Sequence, residues 1–203
     1  MAKPLLKPNP LGATSAVANA EAGVGYFYFD ESIHERGGFI IGAFVAAGEA
    51  LGPHVLEALR RHGLRPGVDE FKSSASMASN PGLDALREEL RQMVAGCDLA
   101  LVVAPIDQRS NLGTIALRGL KQVLAANRLD GKPHTVIFDD GIESRRLSHQ
   151  ELLGLAGLHP ESTAQFGVDS RVEGGIQLSD CAAHTAGTVL LEKMGLVQKL
   201  VPG

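Results

Sequence analysis

Two short stretches, "YFYFDES" (26–32) and "VIFDDG" (136–141), each carry an apolar run into adjacent carboxylates, Asp30 with Glu31 and Asp139 with Asp140. Two further acids stand in different surroundings. Glu70 lies in the polar segment "GVDEFKSS", two residues before Lys72, and Asp180 lies in "GGIQLSDCAAHTAG". A buried strand has no structural use for neighbouring like charges, and two carboxylates side by side repel and raise a pKa. A divalent cation removes that penalty. Hard carboxylate oxygens without His or Cys among them suit Mg²⁺ or Mn²⁺ and not zinc. Each acid alone has an ordinary role. Asp30 or Asp139 can simply form a turn, Asp180 can start a helix, and Glu70 with Lys72 can be a solvated charge pair. Only the joint pattern of two strand-end acids, a loop acid and a helix acid points to a metal site.

The elements that must position these acids follow from periodicity. Residues 24–30 form a strand apolar on both faces, "ERGG" (35–38) a turn, and "FIIGAFVA" (39–46) a second strand, together an antiparallel hairpin. "GPHVLEALRRHG" (52–63) has helical spacing with Gly63 as terminator, and Arg60 and Arg61 fall on its solvated face. Pro81 opens a helix whose apolar stripe is Leu83, Leu86, Leu90, Met93 and Val94, ended by Gly96. A buried strand at 98–106, an amphipathic helix at 112–127 and a buried strand at 134–141 follow. A short helix near 148–157, an edge strand at 164–172 and an Ala- and Gly-rich helix at 174–195 complete the chain. Alternating strands and helices that open with a hairpin indicate an α/β fold with a mixed sheet.

The chain of 203 residues is expected to be one domain over 23–203, preceded by a loosely docked arm at 1–22 whose prolines break any helix. With 44% hydrophobic and 21% charged residues it has an ordinary globular composition, and the scarcity of aromatics (4%) leaves the core to Leu, Val, Ile and Ala. Cys97 and Cys181 match no zinc or redox spacing and read as reduced thiols of a cytoplasmic protein. No window has the length of a membrane span or a secretion signal. The net charge of −4 argues against binding nucleic acid through overall basicity, but it does not exclude a nuclease, whose carboxylates count as negative only until metal is added. The apolar end "GLVQKLV" (195–201) either packs on a second subunit or caps the core.

"FYFDES", "DEFK", "VIFDD" and "GGIQLSDCAAHTAG", in that order over residues 24–195, resemble the family called domain of unknown function 3800, whose members resemble the ribonuclease H-like superfamily of nucleases. The resemblance implies a ribonuclease H-like mixed central sheet flanked by helices and two-metal-ion hydrolysis of phosphodiesters, with RNA or DNA as the partner. It implies that Asp30 bridges both ions, that Asp139 and Asp180 bind one each, and that Glu70 holds a metal or orients the attacking water. Lys72 would neutralise the scissile phosphate. Glu31, Asp140, Ser170, Gln177 and His184 are secondary candidates, His184 as a proton shuttle. Arg145, Arg146 and Arg171 are either phosphate contacts or ordinary surface residues. Ile33 stands where a glycine is frequent and Ser179 where an alanine is usual. The topology also calls for three antiparallel strands before the first helix, where only two are evident.

A metal-dependent nuclease is therefore the leading expectation. The alternative is a non-catalytic module of the same fold, a phage-defence or toxin–antitoxin component. A phosphatase using Asp139 as nucleophile ranks last, because the further motifs it needs are missing.

Overall fold

The computed structural model describes residues 25–74, 81–139 and 148–196. The proposed arm, Asp140, Arg145, Arg146 and most of "GLVQKLV" lie outside the described residues. β1 (Gly25–His34) and β2 (Phe39–Ala47) form the expected antiparallel hairpin, with Tyr26 opposite Ala47 and His34 opposite Phe39. The connection is a single 3₁₀ turn closed by Gly38, whose φ of 69° is left-handed and whose N–H donates to the Glu35 carbonyl at 3.1 Å.

β1 runs four residues beyond Asp30, further than its apolar run indicates. Ser32, Ile33 and His34 are kept in the ladder by Ile41, Ile40 and Phe39 of β2. What stops near the acids is the other pairing. β4 (His134–Asp139) runs parallel to β1, and the last matched residues are Phe29 and Phe138.

Two helices, α1 (Gly52–Arg61) and α2 (Pro81–Ala95), separate β2 from β3 (Asp98–Pro105). β3 is the third antiparallel strand, reached only after both helices, and pairs with β2 from Ala46–Asp98 to Phe39–Pro105. It is not buried as its apolar run suggests. It sits at the sheet edge, paired on one side only, with Leu99, Leu101 and Val103 exposed in a row. α3 (Leu112–Ala126) leads to β4. α4 (His149–Ala156), capped by a Ser148–Glu151 box, leads to β5 (Thr163–Val168), which ends before 172 and pairs parallel with β4. α5 (Gly174–Lys193) closes the fold. The sheet order is β3-β2-β1-β4-β5, so the mixed, helix-flanked α/β sheet expected from the sequence is present.

Alternation along the central strands creates two cores. Ile41, Ala43 and Val45 pack with Val55 and Leu59 of α1, Leu86 and Leu90 of α2, and Leu178 and Ala183 of α5. Phe27, Phe29, Phe44 and Phe138 pack on the opposite side with Leu117 and Leu120 of α3 and Leu152 of α4. α5 lies close to β1 because a Cβ at Gly175 would overlap the Tyr28 ring and one at Gly187 would overlap His34. The buried Ser179 hydroxyl fixes that approach by donating to the Tyr28 carbonyl at 2.8 Å.

Candidate functional site: a carboxylate cluster on the face of β1 and β4

Tyr28 and Ile137 pack together against Ile176 of α5. Two residues further along each strand, Asp30 and Asp139 therefore project from that same face, on neighbouring parallel strands. Asp180 comes to the same region from the second turn of α5. Burial, then the charges of Asp139, Asp180 and Glu31, hold the Asp30 carboxyl well above the usual carboxylate range. The Glu31 N–H opposes this through a 2.7 Å hydrogen bond to Asp30 Oδ1. Three acids from distant segments thus influence one another where water is scarce.

Glu31 points to the other face. Its carboxyl is also raised, by burial first and then by Asp139, while Arg109 and Lys72 oppose the shift. Its Oε2 is buried without a hydrogen-bond partner. Arg109, in the 3₁₀ segment Ile106–Asn111 that follows β3, is a residue the sequence reading missed, and no motif around it marks it.

Glu70 is placed at the rim by a clamp. The buried Gln177 side chain accepts from the Phe71 N–H at 3.2 Å and donates to the Ser170 carbonyl at 2.7 Å, tying the loop before α2 to the turn after β5. Glu70 Oε1 accepts from the Ser170 hydroxyl at 2.6 Å and pairs with Lys72 Nζ at 2.5 Å. Burial alone would lower the Lys72 pKa, but the hydrogen bond and charge of Glu70, with Asp180 and Asp30 behind it, raise it overall. Ser73 was also missed. Its N–H donates to Asp180 Oδ2 at 2.9 Å, and its carbonyl accepts from Arg87 Nη2 at 2.8 Å.

His184 lies one turn beyond Asp180, with its ring stacked 6.1 Å from that of His34. Burial is the main cause of its lowered pKa, so the imidazole is neutral at pH 7. Arg171 is paired with Asp169, Arg60 with Glu57, and Arg61 with Glu89. Gln177 and Ser170 take part in positioning Glu70, and neither reaches the Asp30 face through any hydrogen bond described here.

The fit to a divalent cation rests on the donor set. Asp30, Asp139 and Asp180 offer only oxygen, as Mg²⁺ and Mn²⁺ prefer, and the charges of Asp139 and Asp180 both act on the buried Asp30. As the side chains stand, no three His, Cys, Asp or Glu groups among the described residues come near enough to hold one ion. Glu70 is engaged by Ser170 and Lys72, and Asp180 by the Ser73 N–H.

No helix among the described residues is long and apolar enough to cross a membrane. The chain matches no protein-family model and no curated protein. Among solved structures it is similar to the ribonuclease H2 of Pyrococcus horikoshii OT3, with 17% identity over 89% of this chain and 82% of that one and a TM-score of 0.45. It is also similar to a chain of the PCNA:RNase HII complex of Archaeoglobus fulgidus, with 19% identity over 85% and 79% of the two chains and a TM-score of 0.44. Neither likeness assigns a role to any residue of this chain.

Proposed function

We propose that the chain is a divalent-metal-dependent phosphodiester hydrolase, a nuclease of the domain of unknown function 3800 family. One observation carries the reading. Asp30, only 7% exposed, is held well above the usual carboxylate range by burial first and then by the charges of Asp139 and Asp180, which come from two remote segments. A fold does not keep such repulsion for stability, and a cation is the ordinary way to relieve it.

In this reading Asp30 is the central ligand, Asp139 and Asp180 flank it, and Glu70 joins them or orients a water once it leaves Ser170. Held by these carboxylates, a divalent cation would supply the charge stabilisation that phosphodiester hydrolysis needs. Lys72 holds the phosphate by charge, and the neutral His184 is suited to take up a proton rather than supply one. The substrate is nucleic acid, RNA or DNA.

One observation favours the second reading, a binding module without chemistry. Glu70 is already engaged with Ser170 and Lys72, and no three acids among the described residues are within reach of one ion. The two readings separate in a calorimetric titration with Mn²⁺ at millimolar concentration, followed by a cleavage screen against labelled RNA, DNA and hybrid duplexes. Saturable binding and cleavage lost in both Asp30→Asn and Asp139→Asn support the enzyme. A cleaving Asp30→Asn variant would sink it.

A further inference from the structure

Beyond Asp180 the face of α5 continues into a cavity of about 270 Å³ between α5 and α2. Its lining is not that of a closed core. Arg87 and Arg91, one turn apart on α2, stand on one wall, and His184 and Thr188, one turn apart on α5, stand on the other. Arg91 is exposed and makes no ion pair with any described carboxylate. Glu192 is the one carboxylate among the lining residues, and it lies at the end remote from Asp180. Burial has the largest effect on His184 and lowers its pKa; Asp180 opposes that shift, and both guanidinium groups add to it. The lining thus sets two guanidinium groups against one carboxylate, in a chain of net charge −4.

It is also joined to the carboxylate cluster. Ser73 belongs to its wall, gives its N–H to Asp180 and takes the Arg87 guanidinium on its carbonyl. The same residue thus holds an acid of the cluster on one side and a cation of the pocket on the other.

We infer that this pocket is an anion subsite that holds a backbone phosphate of the nucleic-acid strand lying across the carboxylates. The inference rests on the nuclease reading for the identity of the ligand, and deepens it. The distance is suitable. Asp180 to His184 and Thr188 is about 6–12 Å along a helix, or about two to three nucleotides at the ~3.4 Å rise of a stacked strand. Arg91 supplies a planar donor fork for phosphate oxygens. A strand engaged there would be fixed at two points, so that the phosphate over Asp30 and Asp139 is presented in one register.

The test uses the full chain in EDTA, where no cation is available and no cleavage can occur. Binding of a fluorescein-labelled 12-nucleotide single-stranded DNA is followed by anisotropy between 50 and 200 mM salt. Arg91→Glu should weaken binding about tenfold and lower the salt slope by about one. Arg91→Lys should keep most of the affinity. Arg118→Glu, the same charge change on exposed α3 across the sheet, should leave the slope within error of wild type. Because no metal is present, failure of the metal reading leaves this result standing, and the reverse also holds. Equal losses for Arg91→Glu and Arg118→Glu, or no binding by wild type, would overturn the inference. Displacement of the oligonucleotide by millimolar inorganic phosphate, but not by equal ionic strength of chloride, would overturn it in favour of a free-phosphate site.

Discussion

Replacing Asp30 by asparagine keeps the shape of the side chain and the acceptor for the Glu31 N–H, and removes the charge. Adjacent strands lie about 4.8 Å apart, so the carboxylates of Asp30 and Asp139 interact across about 5 Å. At an effective dielectric constant near 20 this is a repulsion of about 3 kcal/mol. The sign as a function of pH follows from the raised pKa of Asp30. Its folded-state value lies above the unfolded one, so the folded form binds more protons between the two. The wild type therefore has its full stability below the unfolded pKa near ~3.9 and loses it as pH rises through the folded value. The asparagine variant has no such loss. Without metal at pH 7.5 it should melt about 6–12 °C above wild type, at about 2–4 °C per kcal/mol for a chain of this size, and the gap should close toward pH 4. Millimolar Mn²⁺ should raise the wild-type midpoint alone, since about tenfold saturation adds about 1.4 kcal/mol to a state that binds it. Differential scanning fluorimetry across pH, with EDTA or Mn²⁺, reads all of this. A variant that melts at or below wild type at pH 7.5 in EDTA refutes the electrostatic reasoning.

Asp180→Asn should keep the Ser73 contact and the fold, and should weaken Mn²⁺ binding by at least about 10–100-fold, the range seen for losing a group that merely supports a ligand. Gln177→Ala leaves the Phe71 N–H and the Ser170 carbonyl unpaired in a buried place and should cost about 2–5 kcal/mol in urea denaturation. Its cleavage should fall because Glu70 loses its mount. Gly175→Ala drives a methyl into the Tyr28 ring and should cost about 1–3 kcal/mol, with Mn²⁺ binding weakened as α5 shifts. Ser148→Ala removes the capping box of α4, remote from the acids, and should cost about 1 kcal/mol while leaving Mn²⁺ binding unchanged.

The parts of the fold that could be read from the chain are those set by local pattern. The hairpin around "ERGG", the strands at "FYFD" and "VIFD" and the small-residue helix after Gly174 each carry their own periodicity and punctuation. The parallel alignment that brings Asp30 beside Asp139 followed from the kind of sheet, not from either motif. The extension of β1 through Ser32 and His34 depends on partners in β2, which no local pattern encodes. β3 misled for a related reason. An apolar run cannot tell a strand covered on both sides from an edge strand with Leu101 and Val103 in the open. Arg109, Ser73, Arg87 and Arg91 acquire their significance only by proximity in the folded chain, and Lys72 proved to have the ordinary partner that its spacing from Glu70 allows.

The insertion of β1 between β2 and β4, with α5 laid over it, has a consequence for how the protein is made. The central strand is synthesised well before the helix that covers it. At about 5–20 residues per second, about 7–30 s pass between the emergence of Asp30 and that of α5. Throughout that interval Tyr28 has no Gly175 to lie against, and the Tyr28 carbonyl has no Ser179 hydroxyl. Whatever attends the nascent chain must shelter an open sheet face for that time. A chain cut short before residue 174 carries two of the three clustered acids and none of the helix that seals them.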